Sequence, residues 1–290
     1  MSSELVGTTP PEPASEPRHG VRIGVIWAVL TAIAVPIVVL VWGPHLPPGG
    51  FSAQAAAQRH VNVVLSGVVT PIILLVVVYF LYAVVVFRQR GPVISDGPPI
   101  QGHRRIQVAW IAVSVVIVLF AAAYGTVGLF GQEAGAGGGQ GPVPLSVPSG
   151  TPMPIQVIAQ QWGFTYRYPT YGGVETYTLA IPADSSIEFH VTSLDVIHSF
   201  WAIQLGVKAD AVQAADNVAF LRSRSPAAFT IRCSELCGLW HAQMGATGRV
   251  LSKSDFASWI AQQQRDAAPI SKYLPPYSTT YLPDPRRRGG

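Results

Sequence analysis

Twelve residues near the C-terminal end of the chain combine several side chains that bind soft metal ions. Cys233 and Cys237 are the only cysteines in the 290-residue sequence; His241 follows four residues after the second cysteine, and Met244 follows three residues after that. Copper and zinc both accept thiolate and imidazole ligands, whereas a thioether is a soft ligand that favours copper. This segment, residues 233–244, is called the cysteine loop, and its spacing predicts a copper site.

Three simpler interpretations of the two cysteines explain less of the cysteine loop. A disulfide would close only a short loop, which removes little entropy from the unfolded chain, and it would leave His241 and Met244 unexplained. A structural zinc site usually has four strong cysteine or histidine ligands. A mononuclear blue copper site takes a single cysteine, so it accounts for only one of the two. We therefore favour a copper site that uses both thiolates.

Two thiolates on one short loop can bridge two copper ions, and each ion then needs a histidine. His241 provides one, and the second has to come from another part of the fold. His198 lies in the segment Asp-Val-Ile-His-Ser-Phe-Trp, residues 195–201, directly after a predicted strand. We expect Met244 to be the weak ligand of one copper ion, and a loop carbonyl, with Glu235 well placed, to be that of the other.

These motifs resemble those of subunit II of the haem–copper cytochrome c oxidases. The family pattern Cys-x-Glu-x-Cys-x-x-x-His-x-x-Met is complete in residues 233–244, the distant histidine motif is similar to residues 195–201, and the aromatic stretch of the family resembles residues 161–168. The resemblance covers about residues 61–263. It implies a dinuclear copper centre, called CuA, with the ligands His198, Cys233, Glu235 through its backbone carbonyl, Cys237, His241 and Met244.

The resemblance also implies roles for residues around this centre. Trp162 resembles the surface aromatic through which electrons enter from cytochrome c, and the Glu235 carboxylate resembles a residue that helps to hold Mg2+ at the interface with subunit I. Lys208 and Asp210 lie where the family packs against subunit I. Three further side chains are candidates for tuning the redox potential: Phe200, Ser234 and Trp240.

The function that the resemblance implies is electron transfer within a terminal oxidase. Cytochrome c, or a membrane-tethered cytochrome, would donate electrons to the copper centre, and a haem-bearing subunit I would reduce O2 to water; subunit III is a further expected partner. The chain would carry electrons in a proton-translocating oxidoreductase without containing the oxygen-reducing centre. Where the family often has a glutamate near the last membrane helix, this sequence has Gln107, which cannot ionise.

The sequence leaves two other functions and the charge of the donor open. The same copper centre would also suit a nitric oxide reductase, because that distinction lies in the catalytic partner, and a copper-delivery protein would instead hold a labile site. Residues 150–290 contain twelve Lys and Arg against ten Asp and Glu, whereas an acidic surface commonly steers a basic donor. No nucleic-acid partner is expected.

Three long apolar runs precede the outer part of the chain, at residues 23–42, 61–87 and 106–130, and the mean hydropathy is +0.34. About 20 helical residues cross a hydrocarbon core of about 30 Å, so each run is long enough to span a membrane. The first run follows Arg18 and Arg22, and its alternative interpretation is a signal sequence removed after export. We favour a retained helix.

The distribution of arginine predicts the orientation of these helices. The segment between the second and third runs contains Arg88, Arg90, Arg104 and Arg105, which places it in the cytoplasm by the positive-inside rule. Everything after the third run is then expected on the outer, periplasmic or extracellular face of a bacterial-type plasma membrane.

Composition divides the rest of the chain. Residues 1–20 are expected to be a disordered tail, residues 131–152 a linker rich in Gly and Pro, and residues 265–290 a Pro-rich C-terminal tail. Residues 153–264 contain short runs rich in Val, Ile, Thr, Tyr and Phe, which indicate a β-sandwich or Greek-key barrel.

The predicted fold class is therefore a membrane-anchored all-β protein. It has three N-terminal transmembrane helices, or two if the first is a cleaved signal. The family resemblance narrows the β-domain to a cupredoxin-like Greek-key barrel. In such a barrel the cysteine loop joins the last two strands, and His198 comes from a neighbouring loop.

Overall fold

The structure is a computed structural model, and it describes residues 18–88, 102–131 and 151–271. Helix α1 (His19–Pro36) continues through a π-helical segment (Ile37–Trp42) and a 3-10 turn (Gly43–His45), and helices α2 (Ala53–Val86) and α3 (Arg104–Gly131) follow. The predicted N-terminal tail, the linker and the C-terminal tail lie largely outside the described residues.

All three helices are long and apolar enough to cross a membrane. Their apolar side chains are mostly exposed within the described chain, as expected for helices that face lipid. Helices α1 and α2 pack together, and the Trp27 indole N–H donates to the Pro71 carbonyl at 2.8 Å. A side chain at Gly67 would also meet Val39, since a Cβ built there lies 3.2 Å from that residue.

Helix α2 begins at Ala53 and not at residue 61, where the predicted apolar run starts. The Ser52 hydroxyl caps the helix by accepting a hydrogen bond from the Ala55 backbone N–H at 2.9 Å. Capping of this kind satisfies a backbone donor that has no partner within the helix. The additional turns, residues 53–60, contain four alanines and four polar residues, so they lie outside the apolar run.

The outer domain, residues 151–271, consists of two five-stranded sheets and a C-terminal helix. The sheets have the strand orders β3-β2-β1-β5-β8 and β4-β10-β9-β6-β7. Strand β1 is parallel to β5 and β10 is parallel to β4, whereas the other neighbours are antiparallel. The strands are β1 (Met153–Gln160), β2 (Gly163–Tyr168), β3 (Val174–Thr176), β4 (Ala180–Pro182), β5 (Ser186–Ser193), β6 (His198–Ala202), β7 (Val207–Ala211), β8 (Asn217–Arg222), β9 (Ala227–Cys233) and β10 (Gly245–Leu251).

The core lies between the two sheets and is built from alternate residues along each strand. Strand β1 buries Ile155 and Val157, and strand β5 buries Ile187, Phe189 and Val191. Successive side chains in a strand point to opposite faces, so one face of each sheet closes this core. The three apolar helices followed by this two-sheet domain confirm the predicted fold class, a membrane-anchored protein with a cupredoxin-like β-domain.

Two features of the outer domain differ from the sequence-based expectation. Strands β6 and β7 were not predicted, because both are short and β7 consists mainly of Ala, Lys and Asp, which have a low strand propensity. The sequence pattern predicts one strand over residues 176–181, whereas the structure has two, β3 and β4, which belong to different sheets. Tyr168 stabilises β4 across this break, since its hydroxyl contacts both the Ala180 carbonyl (2.9 Å) and the Ala180 N–H (3.0 Å).

The C-terminal helix α4 (Lys253–Ser271) extends beyond residue 265, where the predicted tail begins. Phe256 and Ile260 are buried against the core, and Ala267 packs at its edge. The Gln264 side chain donates to the Tyr171 carbonyl at 3.0 Å. These contacts along one face account for the length of the helix.

The outer end of α2 is built into the outer domain. The Ser52 hydroxyl donates to the Leu205 carbonyl at 2.6 Å, and the Gln58 side chain donates to the Gly206 carbonyl at 2.6 Å. Ser52, Gln54 and Ala55 are buried there. The contact fixes the outer domain to a membrane helix independently of the segment that links α3 to β1.

Candidate metal centre

The cysteine loop connects β9 to β10, which pair antiparallel. Cys233 is the last residue of β9, and its backbone N–H donates to the Met244 carbonyl at 2.9 Å, which closes the loop at its base. A 3-10 turn (His241–Gln243) returns the chain to β10. The Ser234 N–H donates to the Ser199 carbonyl at 3.0 Å and joins the loop to β6.

The donor atoms named in the sequence analysis converge on the two sulfurs. The Cys233 and Cys237 sulfurs lie 3.8 Å apart. The Glu235 carbonyl oxygen and His198 Nδ1 lie 3.2 and 3.9 Å from the Cys233 sulfur. His241 Nδ1 and the Met244 sulfur lie 3.5 and 3.7 Å from the Cys237 sulfur. The fold therefore brings all six predicted ligand residues to one place.

His198 lies at the start of strand β6, which corrects the expectation that it belongs to a loop. The side chain is fully buried, and its Nε2 lies 2.9 Å from an oxygen of the Asp195 carboxylate. A carboxylate at one ring nitrogen fixes the tautomer and orients the other nitrogen. Because Nε2 donates to Asp195, Nδ1 is left as the atom that faces the sulfurs.

Asp195 is held in its ionised form by three donors. Partial burial opposes ionisation, but hydrogen bonds from the Gln161 backbone N–H (2.7 Å), the His198 ring and the Val196 backbone N–H lower the Asp195 pKa to about 2. A charged acceptor makes the stronger kind of hydrogen bond. The carboxylate is therefore a permanent positioning group for His198 at neutral pH.

The two sulfurs are not joined, so the structure does not support the disulfide alternative. Their separation of 3.8 Å is almost twice the length of a disulfide bond, about 2.05 Å. Burial and the neighbouring Cys233 raise the pKa of the Cys237 thiol to about 11. Without metal, Cys237 is therefore a neutral thiol at pH 7, and metal binding has to displace its proton.

The donor set fits copper. The ligand atoms of His198, Cys233 and Cys237 lie within 4.8 Å of one another, and all three residues are buried. Metal–thiolate bonds are about 2.3 Å long, so two sulfurs 3.8 Å apart can both bind the same ion. A thioether in the set favours copper over zinc.

The other donors fall into two groups, one beside each sulfur. One histidine and the Glu235 carbonyl approach the Cys233 sulfur, whereas the second histidine and Met244 approach the Cys237 sulfur. Each sulfur thus has one imidazole and one weak donor beside it. The assignment of these six residues as copper ligands remains a prediction.

Trp162 contacts the cysteine loop directly. Its indole N–H donates to the Cys237 carbonyl at 3.2 Å, and the neighbouring Gln161 side chain donates to the same oxygen at 2.8 Å. Gly238 permits this approach, since it has a φ of +115° and a Cβ there would lie 2.9 Å from the Gln161 amide nitrogen. Gln161 and Gly238 both lie within the recognised motifs, but the sequence pattern alone gives neither residue a role.

The remaining candidate residues differ in their burial and in their hydrogen bonds. Phe200 is buried in the core and pairs in register with Cys233, and Trp240 is half exposed. The Ser234 hydroxyl oxygen is buried and has no hydrogen-bond partner within the described parts of the chain. Asp210 accepts a hydrogen bond from the Ser199 hydroxyl at 2.7 Å, whereas Lys208 is exposed further along β7.

Comparison with known proteins agrees with this geometry. The family described as cytochrome c oxidase subunit II, periplasmic domain, matches residues 175–249, which include all six predicted ligand residues. Cytochrome c oxidase subunit 2 of Synechocystis is 25% identical over 274 residues, 82% of each chain. The subunit 2 of Thermostichus vulcanus is 24% identical over 289 residues, which cover 84% of this chain and 88% of the relative.

Among solved structures, the periplasmic domain of subunit II of cytochrome oxidase from Bradyrhizobium japonicum is similar to the outer domain. It is 30% identical and matches 41% of this chain and 98% of that domain, with a TM-score of 0.40. The family match over the cysteine loop and the two relatives that match most of the chain lead to one conclusion. The chain belongs to the family of cytochrome c oxidase subunit II.

Proposed function

We propose that this chain is the subunit of a terminal oxidase that accepts electrons from cytochrome c at a dinuclear copper centre and passes them to the haem-bearing subunit I, where O2 is reduced to water. The observation that carries the proposal is the convergence of four further donor atoms on two buried, unbonded sulfurs. A dinuclear copper centre bound there would supply a one-electron redox couple.

The protein would hold the ligands of that centre in nearly fixed positions. The loop is closed at its base by the hydrogen bond between Cys233 and Met244, and Asp195 orients His198. The side chains of Cys233, Cys237 and Met244 are at most 7% exposed, which excludes water from the sulfurs. Electron transfer is faster when bond lengths change little between redox states, so a rigid, dry set of ligands suits this function.

We assign electron entry to Trp162. The indole ring is 38% exposed, and its N–H contacts the carbonyl of the cysteine ligand Cys237. It thus lies at the surface and, at the same time, one hydrogen bond from the metal centre.

The end of the outer domain around Trp162 favours a basic donor with an apolar contact surface. The four loops at this end, residues 161–162, 194–197, 212–216 and 234–244, contain no Lys or Arg, and besides Glu235 they contain the carboxylates of Asp195 and Asp216. They also expose large apolar side chains, which include Leu194, Leu236, Leu239 and Trp240. The positive net charge of residues 150–290 therefore lies elsewhere, and opposite charge at this surface would steer a basic cytochrome.

We assign the side of the cysteine loop that carries the Glu235 carboxylate to the interface with subunit I. The Glu235 backbone carbonyl faces the Cys233 sulfur, which leaves the exposed carboxylate available for a Mg2+ ion shared with that subunit. Subunit III is a further proposed partner. The three apolar helices anchor the chain, and Arg88 after α2, together with Arg104 and Arg105 at the start of α3, supports an outer location for the copper domain.

The proposal is tested by purifying the full-length protein with its partner subunits and measuring O2 consumption with reduced cytochrome c. We expect turnover that is lost in Cys237→Ser while the haem spectrum of the partner is unchanged. Turnover of nitric oxide without O2 consumption would assign the chain to a nitric oxide reductase. A chain that purifies without a haem partner and transfers its copper to a chelator would be a delivery protein.

A further inference from the structure

Arg59 is a positively charged residue at the outer end of a membrane helix, with no carboxylate near it in the sequence. Between Glu16 and Asp96 the chain contains no Asp or Glu. The guanidinium makes one long hydrogen bond, from Nη1 to the Pro44 carbonyl at 3.5 Å, and has no ion pair within the described parts of the chain. Basic residues are usually depleted on the outer side of membrane helices, so this arginine requires a specific explanation.

The length of α2 places Arg59 at the level of the lipid headgroups. The helix has 34 residues, which corresponds to about 51 Å, whereas the hydrocarbon core is about 30 Å thick. The outermost turn is buried in the outer domain, and the apolar run starts at residue 61. The turn that contains Arg59 therefore lies between the outer domain and the hydrocarbon core.

A cavity of about 350 Å3 lies beside Arg59, between α2 and the outer end of the first membrane helix. Val39 and Val63 line its apolar part, and Arg59 and His60 line its polar part. The guanidinium also lies against Gly50, because a Cβ built on that residue would be 3.3 Å from Nη1. The cavity thus combines a cation with aliphatic walls at a membrane surface.

We propose that this cavity binds the phosphate headgroup of an anionic glycerophospholipid of the outer leaflet. The planar guanidinium of Arg59 can donate two parallel hydrogen bonds to phosphate oxygens, and the His60 ring can donate a third. The valine side chains would contact the first methylene groups of the acyl chains. Basic cavities between membrane helices are suited to lipid headgroups for this reason. The site is independent of the copper centre.

The test uses the full-length protein reconstituted in vesicles of phosphatidylcholine with one fifth phosphatidylglycerol, and then extracted in mild detergent. Native mass spectrometry identifies the lipid that stays bound. We expect one phosphatidylglycerol to be retained, and Arg59→Gln to reduce its retention about fivefold or more. Arg59→Lys should give an intermediate result, because it keeps the charge and loses the planar fork.

Arg249→Gln is the matched control, since it removes an exposed charge from strand β10 in the outer domain. It should retain the lipid. Equal retention in Arg59→Gln and the unmodified protein would overturn the proposal. Displacement of the lipid by inorganic phosphate would also overturn it, because the site would then recognise phosphate alone. Copper content measured on each variant establishes that the variants are folded.

Discussion

The indole N–H of Trp162 donates to the backbone carbonyl of Cys237, 3.2 Å away. A surface aromatic is thereby joined through one hydrogen bond to the main chain of a predicted copper ligand. Trp162→Phe removes the donor and preserves an apolar ring. Without this hydrogen bond the ring is joined to the loop only by van der Waals contact, so we expect electron entry from reduced cytochrome c to slow severalfold. Stopped-flow absorbance of the copper centre measures this rate.

Trp201→Phe is the control for this variant. Trp201 is also 38% exposed, but it lies on β6 and makes no described hydrogen bond to the cysteine loop. Its replacement should leave the rate of entry nearly unchanged. Equal slowing in the two variants would contradict the role assigned to Trp162.

Asp195→Asn should weaken copper binding. The neutral amide is a poorer acceptor for His198 Nε2–H and for the Gln161 N–H, so the imidazole loses its fixed orientation. Replacement of such orienting groups typically costs about 10- to 100-fold in metal affinity. Competition with a copper chelator measures the change. Asp184→Asn is the control, because it removes the same charge at an exposed turn. It should have no effect on the copper affinity.

His190 should make the stability of the outer domain dependent on pH. Burial lowers the pKa of this imidazole, but hydrogen bonds to Asp216 (2.9 Å) and Glu188 (3.3 Å) outweigh burial, and the pKa is raised above 6.5. The charged ring is therefore favoured in the folded state. The stabilisation is complete below pH 6.5 and is lost as the pH rises through the raised pKa.

We therefore expect the free energy of unfolding to fall as the pH is raised from 6 towards 9. His190→Gln should be less stable at pH 6 by about 1–3 kcal/mol, since it loses hydrogen bonds to charged groups, and its stability should change less with pH. Denaturant unfolding of both proteins at several pH values measures this. Parallel pH profiles for the two proteins would refute the role of His190.

Gly206→Ala should destabilise the joint between α2 and the outer domain. Gly206 has a φ of +65°, and a Cβ there would lie 2.8 Å from the Ala55 Cα. The left-handed conformation costs about 1–2 kcal/mol and the steric clash about 1–3 kcal/mol more. Gly172→Ala should have only the cost of the left-handed conformation, because Gly172 has a φ of +75° and open space around it. Thermal unfolding should therefore give a lower Tm for Gly206→Ala than for Gly172→Ala.

The sequence predicted those parts of the molecule that depend on short-range spacing. Four predicted ligand side chains and the Glu235 carbonyl fall within twelve residues, so any hairpin that joins β9 to β10 keeps them close together. Long apolar runs likewise predict membrane helices without any knowledge of the tertiary fold.

Contacts between distant segments could not be predicted from local pattern. The position of His198 at the start of β6 depends on pairing with β7 and β9. Strands β6 and β7 have only five residues each, and β7 consists mainly of Ala, Lys and Asp, which have a low strand propensity. The early start of α2 depends on the polar side chains of Ser52 and Gln54, which are buried because the outer domain provides hydrogen-bond partners for them. Gln161 and Gly238 became recognisable only when their loops were placed side by side.

Copper quantitation combined with EPR spectroscopy of the purified full-length protein tests the central proposal most directly. We expect two copper ions per chain and a hyperfine pattern from one unpaired electron shared equally by two copper nuclei, which Cys233→Ser and Cys237→Ser should each abolish. A single copper ion per chain, or an unchanged spectrum in either serine variant, would contradict the assignment of both sulfurs as bridging ligands.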